Sequence, residues 1–336
     1  MVTDVRSGAP PALADPMARV PLSPAKPVPV DQMACAPLSP AARVPVGPAA
    51  RAPLSPSART DAGPEAAALA LVTDIVAAGR VLVLTGAGLS TDSGIPDYRS
   101  PGAPPRSPMT EQEFRSGPVA RQRYWARSHL GWQRMGEATP NGGHRALAAL
   151  EQAGVVDLLI TQNVDGLHGK AGSRTVVDLH GRIDEVVCLD CGQISSRAAL
   201  HERMSRLNPD FGADADVVVA PDGDVEFSDT AAFRVPACRR CAGALKPNVV
   251  FFGGSVARPV VDRCFAAVDD AEALLVAGSS LTVMSGFRFV RHAVKRSIPV
   301  LVINRGPTRA DDLPIVKLDA GCTPTLTAVA TALQAL

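Results

Sequence analysis

The sequence predicts an α/β fold, a doubly wound parallel sheet with a smaller module inserted in it. Three observations predict it. Short, continuous apolar runs at residues 81–84, 155–160, 274–277 and 300–303 each end in a loop of small or polar residues. Stretches of helical character, such as 144–153 and 287–296, lie between them. Two Cys-x-x-Cys pairs then interrupt this alternation. A strand covered by helices on both faces needs apolar side chains on both, so it reads as an unbroken run. Strands alternating with helices close into a parallel, Rossmann-like sheet. Ligands of such sheets sit beyond the C-terminal strand ends, which directs attention to the loops after the four runs.

Composition removes several classes of function. The 336 residues carry 34 Lys+Arg and 33 Asp+Glu, a net charge of +1, so no overall field draws in nucleic acid or an anionic membrane. Apolar residues make up 46%, enough to bury a substantial core. No apolar run approaches the roughly 18 residues of a membrane helix. The N-terminus also lacks the apolar stretch of a secretory signal. The expected compartment is therefore cytoplasmic, with no nucleic-acid or membrane partner. Disulfides are rare there, so seven cysteines point to metal or redox chemistry.

Residues 1–64 hold 14 of the 30 prolines, and the first aromatic residue is Tyr98. A Pro-Leu-Ser-Pro step recurs at period sixteen, as in Val20–Pro24, Ala36–Pro40 and Ala52–Pro56. Proline removes backbone donors, and one leucine per unit cannot build a buried face. Residues 1–64 read as a disordered Pro/Ala-rich tail, with 65–336 as the folded domain. The domain opens with a helix from Pro64 to Ala78, stopped by Gly79.

The first loop reads Gly86-Ala87-Gly88-Leu89-Ser90-Thr91, with Gly94 closing it. Glycines there let backbone approach a phosphate, with a helix N-terminus adding its dipole; an ordinary tight turn has the same composition. It is not the dehydrogenase fingerprint, because Thr91 stands where the third glycine belongs. Ile95-Pro96-Asp97-Tyr98-Arg99 follows, placing an acid, a ring and a guanidinium directly after the loop. The second strand ends in Gln162-Asn163-Val164-Asp165. Its amides and carboxylate suit nucleotide hydroxyls or a carboxamide, and Asn163 and Asp165 equally suit caps of the next helix. The last two loops are Gly278-Ser279-Ser280 and Asn304-Arg305-Gly306. Of the six histidines, His180 is the general-base candidate, since it follows an apolar run and precedes a glycine. His129, His144, His201 and His292 read as surface or packing residues, and His168 stays open.

Cys188/Cys191 and Cys238/Cys241 each place two thiolates on one tight turn, and two such turns make a closed tetrahedral zinc site. The 46 residues between the pairs exceed ordinary ribbon spacing, so the zinc-ribbon module, about 184–246, carries an insertion centred on the acidic stretch 210–230. A redox reading is disfavoured, since neither pair opens a helix after a strand. Cys264 reads as a buried filler. The run Val249-Val250-Phe251-Phe252 is either core or an edge that pairs with a peptide.

Taken in this order, these stretches resemble the sirtuin family of NAD-dependent protein deacylases over about residues 66–334. The stretches at 98–101, 121–127, 170–174 and 306–313 look most like its class II branch. The resemblance implies NAD and one structural Zn²⁺ as cofactors, and acyl-lysine proteins or peptides as substrates. It implies that Gly86, Ala87, Gly88, Leu89, Ser90, Thr91, Gly94, Ile95, Pro96, Asp97, Tyr98 and Arg99 contact NAD from the first loop. Gln162, Asn163, Val164 and Asp165 would hold the nicotinamide and its ribose. Gly278, Ser279, Ser280, Asn304, Arg305, Gly306 and Cys322 would serve the adenosine half. The acyl oxygen would attack C1′ of the nicotinamide ribose, releasing nicotinamide. His180, with Asn163 beside it, would then serve as general base to give free lysine and O-acyl-ADP-ribose. Val249, Val250, Phe251 and Phe252 would meet the peptide, and the 121–127 stretch would line the acyl pocket. One departure stands out: Gly254 occupies the place where many sirtuins carry an acid. Protein mono-ADP-ribosyl transfer and a non-enzymatic zinc-ribbon interaction protein are the alternative readings.

Overall fold

The computed structural model describes residues 64–98, 108–212 and 219–334. Residues 1–63 of the expected tail, with Cys35, lie outside the described residues, as do Arg99 and part of the 210–230 insertion.

The chain runs α1 (Pro64–Ala77), β1 (Val81–Thr85), α2 (Glu111–Arg115), α3 (Pro118–Glu137), α4 (Gly142–Gln152), β2 (Val156–Thr161), α5 (Leu167–Ala171) and β3 (Val176–Asp178). The inserted part follows as β4 (Gly181–Cys188), β5 (Ile194–Ser196), α6 (Arg197–Leu207) and β6 (Leu245–Val249). The main layer resumes with α7 (Arg258–Asp270), β7 (Ala273–Ala277), α8 (Met284–Lys295), β8 (Val300–Ile303), β9 (Val316–Leu318) and α9 (Cys322–Gln334).

Six strands form one sheet in the order β3-β2-β1-β7-β8-β9, and every pairing in it is parallel. This is the doubly wound order, and its direction reverses between β1 and β7, where a crevice opens. Successive strand residues point to opposite faces, and β1 shows the result. Leu82 and Leu84 join one core with Val268 of α7 and Phe289 of α8. Val81 and Val83 join the other with Leu147 of α4 and Leu326 of α9. All five β1 residues are buried, which is why the strand reads as an unbroken apolar run. Helix α4 starts on a capping box in which the Asn141 side chain accepts from Gly143 and His144 N–H, satisfying donors a helix start leaves open.

The second sheet is antiparallel, β5-β4-β6, with Gly181 paired to Val249 and Cys188 to Leu245. Its core joins Trp125 and Phe114 to Val186, Leu200, Met204 and Phe233. Trp125 Nε1 donates to Leu245 O at 3.0 Å, so α3 is pinned to β6. One expectation is corrected here. The glycine loop after β1 leads into two three-residue 3₁₀ turns, Ala87–Leu89 and Thr91–Ser93, and not into an α-helix. Gly94 turns left-handed at φ 80° and Pro96 follows, so no helix can continue there and its full dipole is lost.

Candidate functional site

The loops after β1, β2, β7 and β8 line one cleft of about 2290 Å³ at the sheet's C-terminal edge. Backbone builds its floor. Gly88 N donates to Gly278 O at 2.8 Å, and Gly278 N donates to Ile303 O at 2.9 Å, so three loops are tied together. A Cβ on Gly86 would stand 2.7 Å from Gly278 O and 2.8 Å from Ser279 Cβ. Only glycine permits this approach, and it leaves a side-chain-free cradle of the size and polarity a dinucleotide needs.

The β2 loop supplies the polar groups. Asn163 Nδ2 donates to Gly86 O and to Ser90 Oγ, both at 3.0 Å. Ser90 Oγ donates in turn to Asp165 Oδ2 at 2.7 Å, and Leu167 N donates to Asp165 Oδ1 at 2.9 Å. Asp165 therefore accepts the first N–H of α5 while facing the glycine loop, whereas Asn163 bonds only to the glycine loop through its amide nitrogen. Burial pushes the Asp165 carboxyl above its ordinary range, opposed by the N–H of Leu167 and the hydroxyl of Ser90. Gln162 Nε2 donates to Ser279 Oγ at 2.8 Å, joining the β2 and β7 loops.

His180 sits between β3 and β4 with both ring nitrogens engaged. Nδ1 lies 2.8 Å from Gln162 O, and a carbonyl only accepts, so Nδ1 carries the proton. Nε2 lies 2.7 Å from Ser285 Oγ and presents its lone pair to that hydroxyl. Burial lowers the His180 pKa and Arg288 adds to the effect, against the Gln162 carbonyl. The ring is a neutral base with a fixed tautomer. Ser285 escaped the sequence reading because a serine in a first helical turn looks like any N-terminal residue. Its neighbour Gly286 is equally specific: a Cβ there would come within 2.5 Å of Gln162 Oε1.

His129, His144, His201 and His292 take packing or surface places, and His168, open from the sequence, is buried. His168 braces β1, its Nε2 2.9 Å from Thr85 Oγ1, and its ring meets His144 edge-on at 4.9 Å. Burial holds His168 well below the ordinary value and takes His144 down to about 4. His129 stacks on His201 at 4.4 Å, and His292 pairs with Asp269 at 2.8 Å. Cys264 is fully buried in the core.

The run from Val249 divides its roles. Val249 is buried, and Val250 N donates to His180 O at 2.8 Å. Phe251 packs on Phe114 and Tyr124, while Phe252 is 43% exposed at the cleft mouth beside Tyr98. Glu111 N donates to Phe252 O at 2.9 Å, so α2 holds this segment from one side. The insertion between the cysteine pairs also reaches the cleft, which spacing could not show. Val219, Pro221 and Asp222 line it. Arg127 anchors the segment, its Nε 2.9 Å from Asp224 Oδ1 and 2.7 Å from Val225 O, and its Nη2 on the other Asp224 oxygen. Burial raises Asp224 to about 6 even with Arg127 beside it. Of the 121–127 stretch, Tyr124 faces the cleft.

The four cysteines converge, with all Sγ atoms within 4.8 Å of one another. Cys188 Sγ lies 3.5 Å from Cys241 Sγ and Cys191 Sγ 3.9 Å from Cys238 Sγ. Four thiolates about 2.3 Å from a tetrahedral Zn²⁺ stand roughly 3.8 Å apart, so the set fits that ion. Four protein ligands complete its shell, which makes it structural and leaves no open position for substrate.

Comparison with known proteins agrees with this geometry. The Sir2 family model matches residues 86–285. "NAD-dependent protein deacetylase 1" of Mycobacterium avium (strain 104) is 56% identical over 266 residues, 78% of this chain and 94% of the relative. "NAD-dependent protein deacetylase 1" of Streptomyces coelicolor is 52% identical over 266 residues, 78% of this chain and 89% of the relative. A solved structure described as "Sir2-p53 peptide-NAD+" superposes with a TM-score of 0.64 at 26% identity, covering 79% of this chain and 98% of that chain. With half its length matched by the family model and relatives above 50% identity, the chain belongs to the Sir2 family.

Proposed function

We propose that this chain is an NAD-dependent protein lysine deacylase, of the class II-like branch that the stretches at 98–101 and 121–127 resemble. The observation that carries the reading is His180, a neutral imidazole with its Nδ1 proton held by Gln162 O, at the floor of a glycine-cradled cleft. NAD, when bound, supplies the ADP-ribosyl group that receives the acyl group, with nicotinamide as leaving group. The Gly86–Ser90 loop is assigned to its pyrophosphate and ribose side, Gln162, Asn163 and Asp165 to the nicotinamide and its ribose, and Gly278–Ser280, Asn304–Gly306 and Cys322 to its adenosine half. Asp97 and Tyr98 are assigned to the lip of the cleft, and Arg99 lies outside the described residues. His180 Nε2 takes the proton of a ribose hydroxyl, a general-base contribution of about 10²–10⁴ in rate. Ser285 Oγ lies 2.7 Å from the same nitrogen. The Val249–Phe252 segment offers backbone to an extended substrate peptide. Its interactions need no side chain at Gly254, where an added Cβ would crowd Phe251 O at 2.9 Å. The catalytic domain is assigned to 65–336 and the inserted zinc module to about 184–246, behind a Pro/Ala-rich tail. The cytoplasm is assigned as its compartment; no described helix is long and apolar enough to cross a membrane.

The test is nicotinamide release from NAD with a panel of acyl-lysine peptides. Release that depends on the peptide and ranks the acyl groups supports the deacylase. Release without peptide, with label from NAD appearing on protein, moves the activity to ADP-ribosyl transfer.

A further inference from the structure

Beyond the strand ends, the cleft continues into a groove between the starts of α7 and α8. Arg258, Asp262 and Phe265 line it from α7, and Met284 and Arg288 from α8. Its mouth is apolar. Phe252 is 43% exposed, Val283 37% and Met284 41%, and all three line the cleft. A cluster of this kind on a soluble surface marks a contact site.

The charges in the groove do not balance. Asp262 is taken by Arg258 at 3.5 Å. Asp269, further along α7, is taken by His292 and Arg296 at 2.8 and 3.0 Å. Arg288 is half-buried, and its Nε donates only to Met284 O of its own helix, at 3.3 Å. No carboxylate among the described residues pairs with it. A guanidinium held in a cleft without a counter-ion is a receptor for a carboxylate, which it takes with two parallel hydrogen bonds.

We propose that this groove receives the substrate residues flanking the acyl-lysine and selects acidic and apolar side chains there, with Arg288 as the group that reads the acid. The inference rests on the deacylase reading and adds the sequence class of the substrate to it. Continuity supports it: the cleft that Val249–Phe252 line also takes in Val283, Met284 and Arg288. Arg288 also acts on His180, so an acidic flank that pairs with Arg288 would load the cleft at the base itself.

The experiment uses two fluorescent peptides with the same acyl-lysine and the same apolar positions, one with Asp/Glu flanks and one with Lys/Arg flanks. Affinity for the full chain is read by anisotropy, and nicotinamide release is followed in parallel. The acidic peptide is expected to bind about 2- to 5-fold more tightly, the upper range of a partly exposed ion pair. That advantage should shrink as salt rises from about 0.05 to 0.5 M. Arg288→Gln removes the preference and Arg288→Glu reverses it, with folding checked by melting temperature. Equal affinity for both peptides in the native chain overturns the inference, as does a preference that survives Arg288→Glu. An Arg288→Glu variant that loses NAD affinity while keeping its peptide preference assigns the guanidinium to the cofactor and also overturns it. Charge-selective binding without turnover leaves the groove standing and fails the deacylase reading. Turnover without charge selection does the reverse.

Discussion

The sheet edge around His180 and the zinc module next to it are built on different principles. At the sheet edge, polar groups are tied to one another through backbone. His180, Gln162, Asn163, Ser90 and Asp165 each have partners within 3.0 Å, on the loops that follow β1, β2 and β3. In the module, Arg197 is completely buried, and its Nε and Nη1 have no partner among the described residues. Its Nη2 donates to Ser128 O at 2.9 Å, and its guanidinium lies over Trp132 at 4.7 Å and Trp125 at 5.3 Å. The same desolvation takes Arg197 down to about 10. One region is held by a hydrogen-bonded polar cluster on a large sheet. The other is held by ring stacking, a small core and a thiolate set. The first should tolerate loss of metal, and the second should not.

Zinc removal is the strongest way to force the two apart. Structural zinc contributes about 10–16 kcal/mol of apparent binding energy in small domains, so a chelator or Cys188→Ser should melt the module. Trp125 and Trp132 are the chain's two tryptophans and both touch Arg197, so their emission should shift red. A Cys188→Ser protein with undiminished zinc content would contradict the structural site. On the other side of the comparison, Gly86→Ala thrusts a methyl at Gly278 O. Overpacking of that kind costs about 1–3 kcal/mol, and NAD affinity by calorimetry should fall about 5- to 100-fold while tryptophan emission stays unchanged. An unaltered isotherm would remove the glycine cradle from the cofactor site.

Acid should act on both regions, because burial depresses His144 and His168 at the sheet as it does His129 and His201 beside the module. Burial lowers His129 to about 4, with His201 and Arg197 adding to it, and His201 is lowered for the same reasons. The unfolded chain binds those protons near pH 6.5, so module stability should fall as pH drops from about 6.5 toward 4. Melting followed by tryptophan emission at pH 7 and pH 5 measures this, and a midpoint that does not move would reject it. The smallest expected effect belongs to Ser285→Ala. It should lower kcat about tenfold, as expected for loss of one hydrogen bond to a neutral partner. NAD affinity should be kept, and Ser285→Thr should restore the rate. A change confined to KM would show that the hydroxyl does not act through His180.

Much of this was legible beforehand, for physical reasons. Strands β1, β7 and β8 are buried along their whole length, and β2 at all but Asp157, so they declare themselves as apolar runs. The cysteine pairs declare themselves by spacing. Strands β3, β5 and β9 are three residues each, too short to carry a period. Arg197 reads as a surface residue, because nothing local says that α6 turns it between two tryptophans. Ser285 and Asp224 act across 105 and 97 residues of sequence, and only the folded chain brings them to His180 and Arg127. Asn163 and Asp165 look alike as caps, and the fold separates them.

His180→Ala separates chemistry from binding most directly. NAD titration by calorimetry and peptide-dependent nicotinamide release should be run on the same preparation. If His180 is the general base at a backbone-built cofactor site, overall deacylation falls about 10²–10⁴-fold while the NAD isotherm is unchanged. Undiminished deacylation in that variant would contradict the base assignment, and a lost isotherm would mean that the ring builds the cofactor site.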